Sequence, residues 1–250
     1  MIFAVFYVHP FGAPLDQAKE QLAFMKAGRR ALEATNPGSR YVLLTDHASA
    51  AYFEREIEIE CCAPGGQPLM LQSILAQRAF LYIKRHEDLI VLADTDCIPN
   101  RPLGDAIADG VAVTHRGPKF KWIVNNICYS RRHIDAWYLY DHAAIRLRTW
   151  PAEKQEWWGD QEALQHVLGI PLVKGETVEF GADWDFRPPA EEIFPAPGDP
   201  RISMVPCRTH NCFAADDGRM TPAMRDAYIV HFKGPRKQHL LDYVNQRFGG

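Results

Sequence analysis

The chain has 250 residues, enough to bury a large core in one α/β domain or two closely joined halves. Its 28 Lys and Arg against 31 Asp and Glu give a formal net charge of -3. That balance lacks the basic stripe of a nucleic-acid binder, so an anionic small substrate would need local basic groups rather than a global field. No stretch is low-complexity, internally repeated, or long and apolar enough to span a bilayer.

The elements follow in chain order. Ile2–Val8 is apolar and β-prone and reads as a buried strand. It lacks a basic n-region and a small-residue cleavage site, so it is not a signal peptide, and cytoplasmic residence is the default expectation. His9, Pro10, Phe11, Gly12 and Pro14 break the strand, and Asp16 is expected to cap a helix running to about Ala34. Asn36, Pro37 and Gly38 turn the chain into a short strand, Tyr41–Leu44, which ends at Thr45 and Asp46. After a break near Pro64–Pro68, a helical pattern places Leu71, Ile74, Leu75, Ala79, Tyr82 and Ile83 on one apolar face. Leu89–Ala93 is the next strand and runs into Asp94.

Strands alternating with helices over the first hundred residues predict a parallel, doubly wound sheet, whose ligands bind beyond the carboxyl ends of its strands. His9, Asp46 and Asp94 all fall at such ends. The remainder is less regular. Val111–Thr114 and Asn126–Tyr129 read as short strands, Trp158–Leu168 as a helix, and the proline-rich Pro188–Pro200 as a surface loop. The six cysteines are scattered through a chain that needs no disulfide to fold, which suits a reducing compartment. Cys207, His210 and Cys212 cluster, but their spacing fits none of the strong zinc patterns, and buried or idle thiols are the better reading.

The most informative segment is Leu89-Ile90-Val91-Leu92-Ala93-Asp94-Thr95-Asp96. An apolar strand delivers two carboxylates, one residue apart, to the ligand edge of a sheet. Such a pair suits a hard divalent cation, which can bridge phosphate oxygens and stabilise a departing diphosphate.

This arrangement resembles the GT-A glycosyltransferases, and family 8 in particular, which carry a hydrophobic strand followed by Asp-x-Asp. The resemblance implies a mixed, mainly parallel Rossmann-like sheet flanked by helices in a single domain over 1–250, with a nucleotide-binding half at 1–99 and an acceptor-binding, metal-completing half at 100–250. It also implies a basic residue on the preceding helix, Gln72–Arg85, and Arg78 is the match; the alternative for Arg78 is a snorkelling surface side chain. Near the C-terminus, His231-Phe232-Lys233-Gly234-Pro235-Arg236-Lys237 resembles the family's His, Gly and Lys motif. On that basis His231 joins Asp94 and Asp96 around Mn²⁺ or Mg²⁺, Lys237 or Lys233 touches the diphosphate, and Gly234 lets the backbone approach it. Trp157-Trp158-Gly159-Asp160-Gln161-Glu162 resembles the family's Asp-Gln helix start. This implies that Asp160 and Gln161 contact sugar hydroxyls or assist catalysis, alongside a capping role for Asp160. Asn125 and Asn126 loosely match an asparagine-bearing strand near the donor. Val8, His9 and Thr95 complete the expected donor-binding set.

The implied reaction is transfer of a sugar from a nucleoside diphosphate, UDP favoured, to an acceptor hydroxyl. Family 8 resemblance suggests retention of configuration. The chain departs from the family at His9-Pro10, where small or acidic residues are usual, and from Gly175 to Asp217, which matches no family segment. Of Trp122, Trp137, Trp150, Trp157, Trp158 and Trp184, one or two are candidates to line an acceptor site and most to fill the core. Asp183 and Asp185 are candidate bases. Two other readings compete: a haloacid-dehalogenase-type phosphatase with Asp94 as nucleophile and Asp216-Asp217 as second acidic motif, and a non-catalytic nucleotide-sugar-binding protein.

Overall fold

The computed structural model describes residues 1–115, 123–156, 158–170 and 193–249. Its first half is built on β1 (Ile2–Phe6), α1 (Leu15–Thr35), β2 (Arg40–Thr45), α2 (His47–Ala50), β3 (Glu58–Cys61), α3 (Leu69–Ile83), β4 (Ile90–Asp94) and β5 (Cys97–Pro99). The second half adds β6 (Val111–His115), β7 (Ile123–Ser130), α4 (His133–Arg148), α5 (Ala152–Glu156), α6 (Gly159–Val167), β8 (Phe194–Ala196), β9 (Asp199–Pro206), α7 (Cys207–His210), β10 (Cys212–Phe213), α8 (Pro222–Asp226), β11 (Ile229–His231) and α9 (Leu240–Phe248). No helix among the described residues is long and apolar enough to cross a membrane.

One large sheet takes the order β3-β2-β1-β4-β7-β6-β9-β8. Its first four strands are mutually parallel, β7 is antiparallel to β4 and β6, and β8 is antiparallel to β9. The mixed, mainly parallel α/β sheet therefore stands as the sequence led one to expect. Continuous apolar runs such as Ile2–Val5 and Ile90–Ala93 are buried to within 2 % because helices cover both faces. On one face Ala4, Val42, Leu44 and Leu92 pack under α3, α4 and α6; on the other Phe3, Val5, Leu43 and Val91 pack under α1. A small sheet, β10-β11-β5, leaves the large one just after Asp94.

Several local expectations change. Asp16 does not cap α1: Pro14 holds the N-cap position, its fixed φ suits a helix start, and Asp16 sits in the first turn bonded to Lys19 at 2.8 Å. The buried face of α3 is rotated from the apolar stripe. Tyr82 and Ile83 are exposed, whereas Gln72, Ser73 and Gln77 are buried, because α3 lies against the sheet on one side and α4 on the other. The stretch expected as a loop from Pro188 to Pro200 contains β8 and the start of β9 in its described part. β3, β5, α4 and most of the region after Asp199 were not read from the sequence at all.

Tyr41 of β2 exposes a tight contact in this frame. Its hydroxyl is buried without a hydrogen-bond partner, and a Cβ built on Gly28 of α1 would lie 2.9 Å from that oxygen and from Cε2. Gly28→Ala should therefore destabilise by about 1–3 kcal/mol through overpacking, despite alanine's better helix propensity. Tyr41→Phe, which removes an unsatisfied buried hydroxyl, should be neutral or stabilising by about 1 kcal/mol. Urea midpoints of the two variants check both signs. Burial also lowers the pKa of His133 and His210 from 6.5, each ring held by a backbone carbonyl, of Glu87 and Ala106 respectively. The unfolded chain thus takes up these protons first as pH falls. Their contribution to stability is present above about pH 6.5 and is lost as the pH drops from there through the folded values. Urea midpoints at pH 7.5 and pH 5.5, compared with those of a His133→Gln/His210→Gln variant, measure that loss.

Candidate active site

The site forms where the chain passes from the large sheet to the small one. β4 ends at Asp94, beside Phe6 of β1. Thr95 and Asp96 make the turn, and β5 then pairs antiparallel with β11, so that His231 lies directly across from Cys97. The amide of Phe232 donates to the Asp96 carbonyl at 2.9 Å and locks the two segments together. Two residues distant in sequence, Asp96 and His231, meet because of this pairing.

Asp96 is 5 % exposed and His231 is fully buried. Lys237 Nζ stands 3.1 Å from Asp96 Oδ2. The other carboxylate oxygen, Oδ1, faces His231 Nε2 across 3.3 Å yet has no hydrogen bond. Burial alone would raise the pKa of Asp96, but His231 and Lys237 more than offset it and hold the carboxyl well below the usual carboxylate range. Burial likewise disfavours the charge on Lys237, and Asp96, with Asp94 and Glu20 farther off, overrides it and raises the pKa. The centre is thus a buried carboxylate kept ionised by two basic partners.

The expected site residues divide into those brought together and those that are not. Among the described residues, the donor atoms of Asp96, Cys97 and His231 lie within 4.8 Å of one another. Asp94 is outside that group: it is half-buried at the strand end, where its charge is felt by Cys97, Lys237 and Tyr140. Asp160, buried on α6, acts on the same Tyr140 phenol, whose pKa is pushed up first by burial and then by Cys128, Asp160 and Asp94. Asp160 and Asp94 therefore both act on one buried phenol. Gln161, half-buried, follows, its amide bonded to Asp160 Oδ1 at 2.8 Å.

Val8 and His9 extend from β1 beyond its pairing with β4. Val8 packs against the core, and His9 is held by Tyr7, Ser49 and the carbonyl of Ala13, with Tyr52 at 4.9 Å. Asp46 at the end of β2 caps α2 through the amide of Ser49. Asn125 and Asn126 lie on β7, and continuing the Leu92–Cys128 register sets Asn126 level with Asp94; their side chains fall outside the described residues.

Two expected donor contacts are taken up elsewhere. Thr95 is buried and donates to Gln21 of α1 at 2.7 Å, fastening the turn rather than presenting a hydroxyl. Arg78 forms a 2.6 Å ion pair with Asp141 and ties α3 to α4, as suits a side chain bordering the apolar stripe. The buried polar side chains on α3 are instead Gln72, Ser73 and Gln77, the last two linked at 3.3 Å, with Gln77 Oε1 unsatisfied. Sequence periodicity gave no sign of them, since glutamine beside arginine on a helix ordinarily reads as surface. Cys97 was likewise missed as a neighbour of the centre, although it directly follows the acidic pair. Trp122, Trp157, Trp184, Asp183 and Asp185 lie outside the described residues. Asp216 stands 2.8 Å from Arg236, and Asp217 is paired with Arg219.

The donor set fits a divalent cation in chemistry. Asp96 offers a buried oxygen without a hydrogen bond, His231 an imidazole, and Asp94 a second carboxylate at the strand end. Cys97 is a poor ligand for Mg²⁺, and burial, followed by Asp96 and Asp94, keeps its thiol protonated. At Gly234, φ is +61° and an added Cβ would meet nothing within 4 Å, so the backbone there borders open space.

No family model matches the sequence, and a search of curated proteins finds no match. Solved structures do match in shape. One is a glycosyltransferase involved in the glycosylation of the major capsid of PBCV-1, 13 % identical, with a TM-score of 0.54 over 98 % of each chain. Another is the apo structure of the bifunctional glycosyltransferase WbbM, 10 % identical, with a TM-score of 0.51 over 99 % of this chain and 49 % of that one. The chain has the fold of these glycosyltransferases. The likeness at this identity is one of architecture, so function has to be argued from the side chains.

The α6 start that carries Asp160 is wedged in place. Trp158, at φ +63°, is the one non-glycine residue with positive φ among those described, a conformation costing about 1–2 kcal/mol for an L-residue. A Cβ on Gly159 would lie 1.8 Å from the carbonyl oxygen of Lys154 and 2.7 Å from Leu147 Cδ1. Gly159→Ala should therefore displace the first turn of α6 and destabilise by about 3 kcal/mol or more. A thermal midpoint within a degree of wild type would show that α6 is not pinned there.

Proposed function

We propose that this chain is a glycosyltransferase that takes its sugar from a nucleoside-diphosphate donor, UDP-linked by preference, and passes it to an acceptor hydroxyl. The observation that carries the reading is the buried Asp96 carboxylate, held ionised by His231 and Lys237 where the chain leaves the carboxyl end of β4. Ligands of such sheets bind at that edge, and the solved structures of similar fold are glycosyltransferases.

Mn²⁺ or Mg²⁺ held by Asp96 and His231, with Asp94 alongside, would neutralise the diphosphate that departs. The chain's own groups account for the rest. Lys237 supplies a fixed positive charge in a half-buried setting, where it is worth more than in open water. Gly234 lets the backbone come close to phosphate oxygens. Asp160 and Gln161, at the start of α6, are the groups we assign to the transferred sugar and to the chemistry. Val8, His9, Asn125 and Asn126 border the donor along β1 and β7. Residues 1–99 then form mainly the nucleotide-binding half and 100–250 the acceptor-binding half. No observation favours the phosphatase or the non-catalytic binding protein: the acidic pair follows the fourth strand, and Asp216 and Asp217 each have an arginine partner.

Asp96→Asn is the direct test. It should lower release of UDP from UDP-sugars by about a hundredfold or more and abolish Mn²⁺-dependent UDP binding in calorimetry. Retained UDP release in Asp96→Asn, or wild-type hydrolysis of an aryl phosphate in place of UDP release, would overturn the assignment. Asp160→Asn should keep UDP binding within about twofold while lowering kcat by about a hundredfold, separating chemistry from donor binding.

A further inference from the structure

A pocket of about 380 Å³ opens between α4, the end of α6 and the start of β9. It lies away from the acidic turn. Ile202, Val111, Ser130 and Ile90 share one row of the large sheet, so Arg201 stands near the amino end of β4, whereas Asp94 stands at its carboxyl end. From Ile90 to Asp94 the strand advances roughly 13 Å.

Two glycines set the walls of this pocket. A Cβ on Gly169, just after α6, would lie 2.9 Å from the Gly198 nitrogen, and one on Gly198 would lie 2.8 Å from the Gly169 nitrogen. The Gly198 amide donates to the Leu168 carbonyl at 2.8 Å. The end of α6, which carries Val167, is thus pressed backbone to backbone on the turn that leads into Asp199. The walls are held in place before anything binds, which lowers the cost of binding.

The lining combines an aromatic face with planar hydrogen-bonding groups. Tyr138 is 46 % exposed, and Trp137, itself packed on the core, braces it edge-on with ring centres 5.0 Å apart. Arg201 donates to Asp199 through Nε at 2.9 Å and Nη2 at 2.7 Å, and to Asp135 through Nη1 at 3.0 Å. His142 lies near enough for its charge to act on Asp199. Two carboxylates against one guanidinium and one imidazole leave no net positive charge in either protonation state of His142, so a phosphate or carboxylate ligand is not favoured. The same groups keep spare N–H donors and oxygen lone pairs for hydroxyls.

We infer that this pocket is an accessory site for a neutral saccharide, which lays the C–H face of a pyranose on Tyr138 and bonds its hydroxyls to Asp199, Arg201 and His142. The occupant is read from these groups alone, so the site stands apart from the glycosyltransferase reading above. Under that reading it lets the protein hold one part of a glycan at the amino edge of the sheet while the carboxyl edge holds the donor.

Methyl β-glucoside, methyl β-galactoside and methyl α-mannoside are the probes, followed on the full chain by saturation-transfer difference NMR. At least one should show saturable transfer to its ring C–H protons. Tyr138→Ala should weaken that binding by about tenfold and His142→Ala by about threefold, whereas Tyr138→Phe, which keeps the ring, should stay within about twofold of wild type. Neither UDP with Mn²⁺ nor inorganic phosphate should displace the sugar. Absence of binding by all three glycosides, binding undiminished in both alanine variants, or displacement by either competitor overturns the site. Failure of the wild type to bind UDP with Mn²⁺ counts against the glycosyltransferase reading and leaves this site standing.

Discussion

A single buried carboxylate governs the architecture of the site. Asp96 is removed from water, and an isolated charge in that position would be strongly disfavoured. It stays ionised because β5 pairs with β11, which brings His231 against one oxygen, and because the turn after β11 brings Lys237 against the other. Pairing the small sheet and charging the site are therefore the same event. Breaking either basic partner away would leave Asp96 buried and under-compensated, a larger penalty than the net worth of the pair.

The large sheet supplies the other half of the arrangement. β1, β2 and β4 run parallel and end together, so the loops after Phe6, Thr45 and Asp94 share one edge. Those loops are fastened by polar contacts: Thr95 to Gln21, Asp46 to Ser49, and His9 to Ser49. Side chains that a motif would assign to ligand instead hold the backbone of the acidic turn. Thr95 illustrates this, since its hydroxyl fixes the turn between the two aspartates.

The remaining wall comes from α6. Glycine at position 159 allows the helix to start pressed against Lys154 and Leu147, and the left-handed Trp158 turns its ring toward Lys233. Asp160 is then buried, and it and Asp94 both act on Tyr140. This wall, the acidic turn and the C-terminal segment converge, although they come from separate parts of the chain. The solved glycosyltransferase structures share the architecture at low identity, as expected when layer packing rather than individual residues dictates the fold.

The sequence by itself determined the alternation of strands and helices, the parallel sheet and the acidic pair at its edge, because apolar runs and their breaks are local signals with fixed periods. Through the family resemblance it also pointed to His231 and to Lys237 or Lys233. It could not reveal that Asp96, rather than Asp94, is the buried anchor, that Arg78 belongs to Asp141, or that Cys97, Ser73 and Gln77 lie inside. Nor did it show β3, β5, α4 or the strand pairing of β11. Those outcomes depend on which distant segment covers a given face, and the pattern of a buried face does not name the segment that covers it. Only the tertiary structure decided them, because the electrostatics of a carboxylate are set by what surrounds it in space and not by its neighbours along the chain.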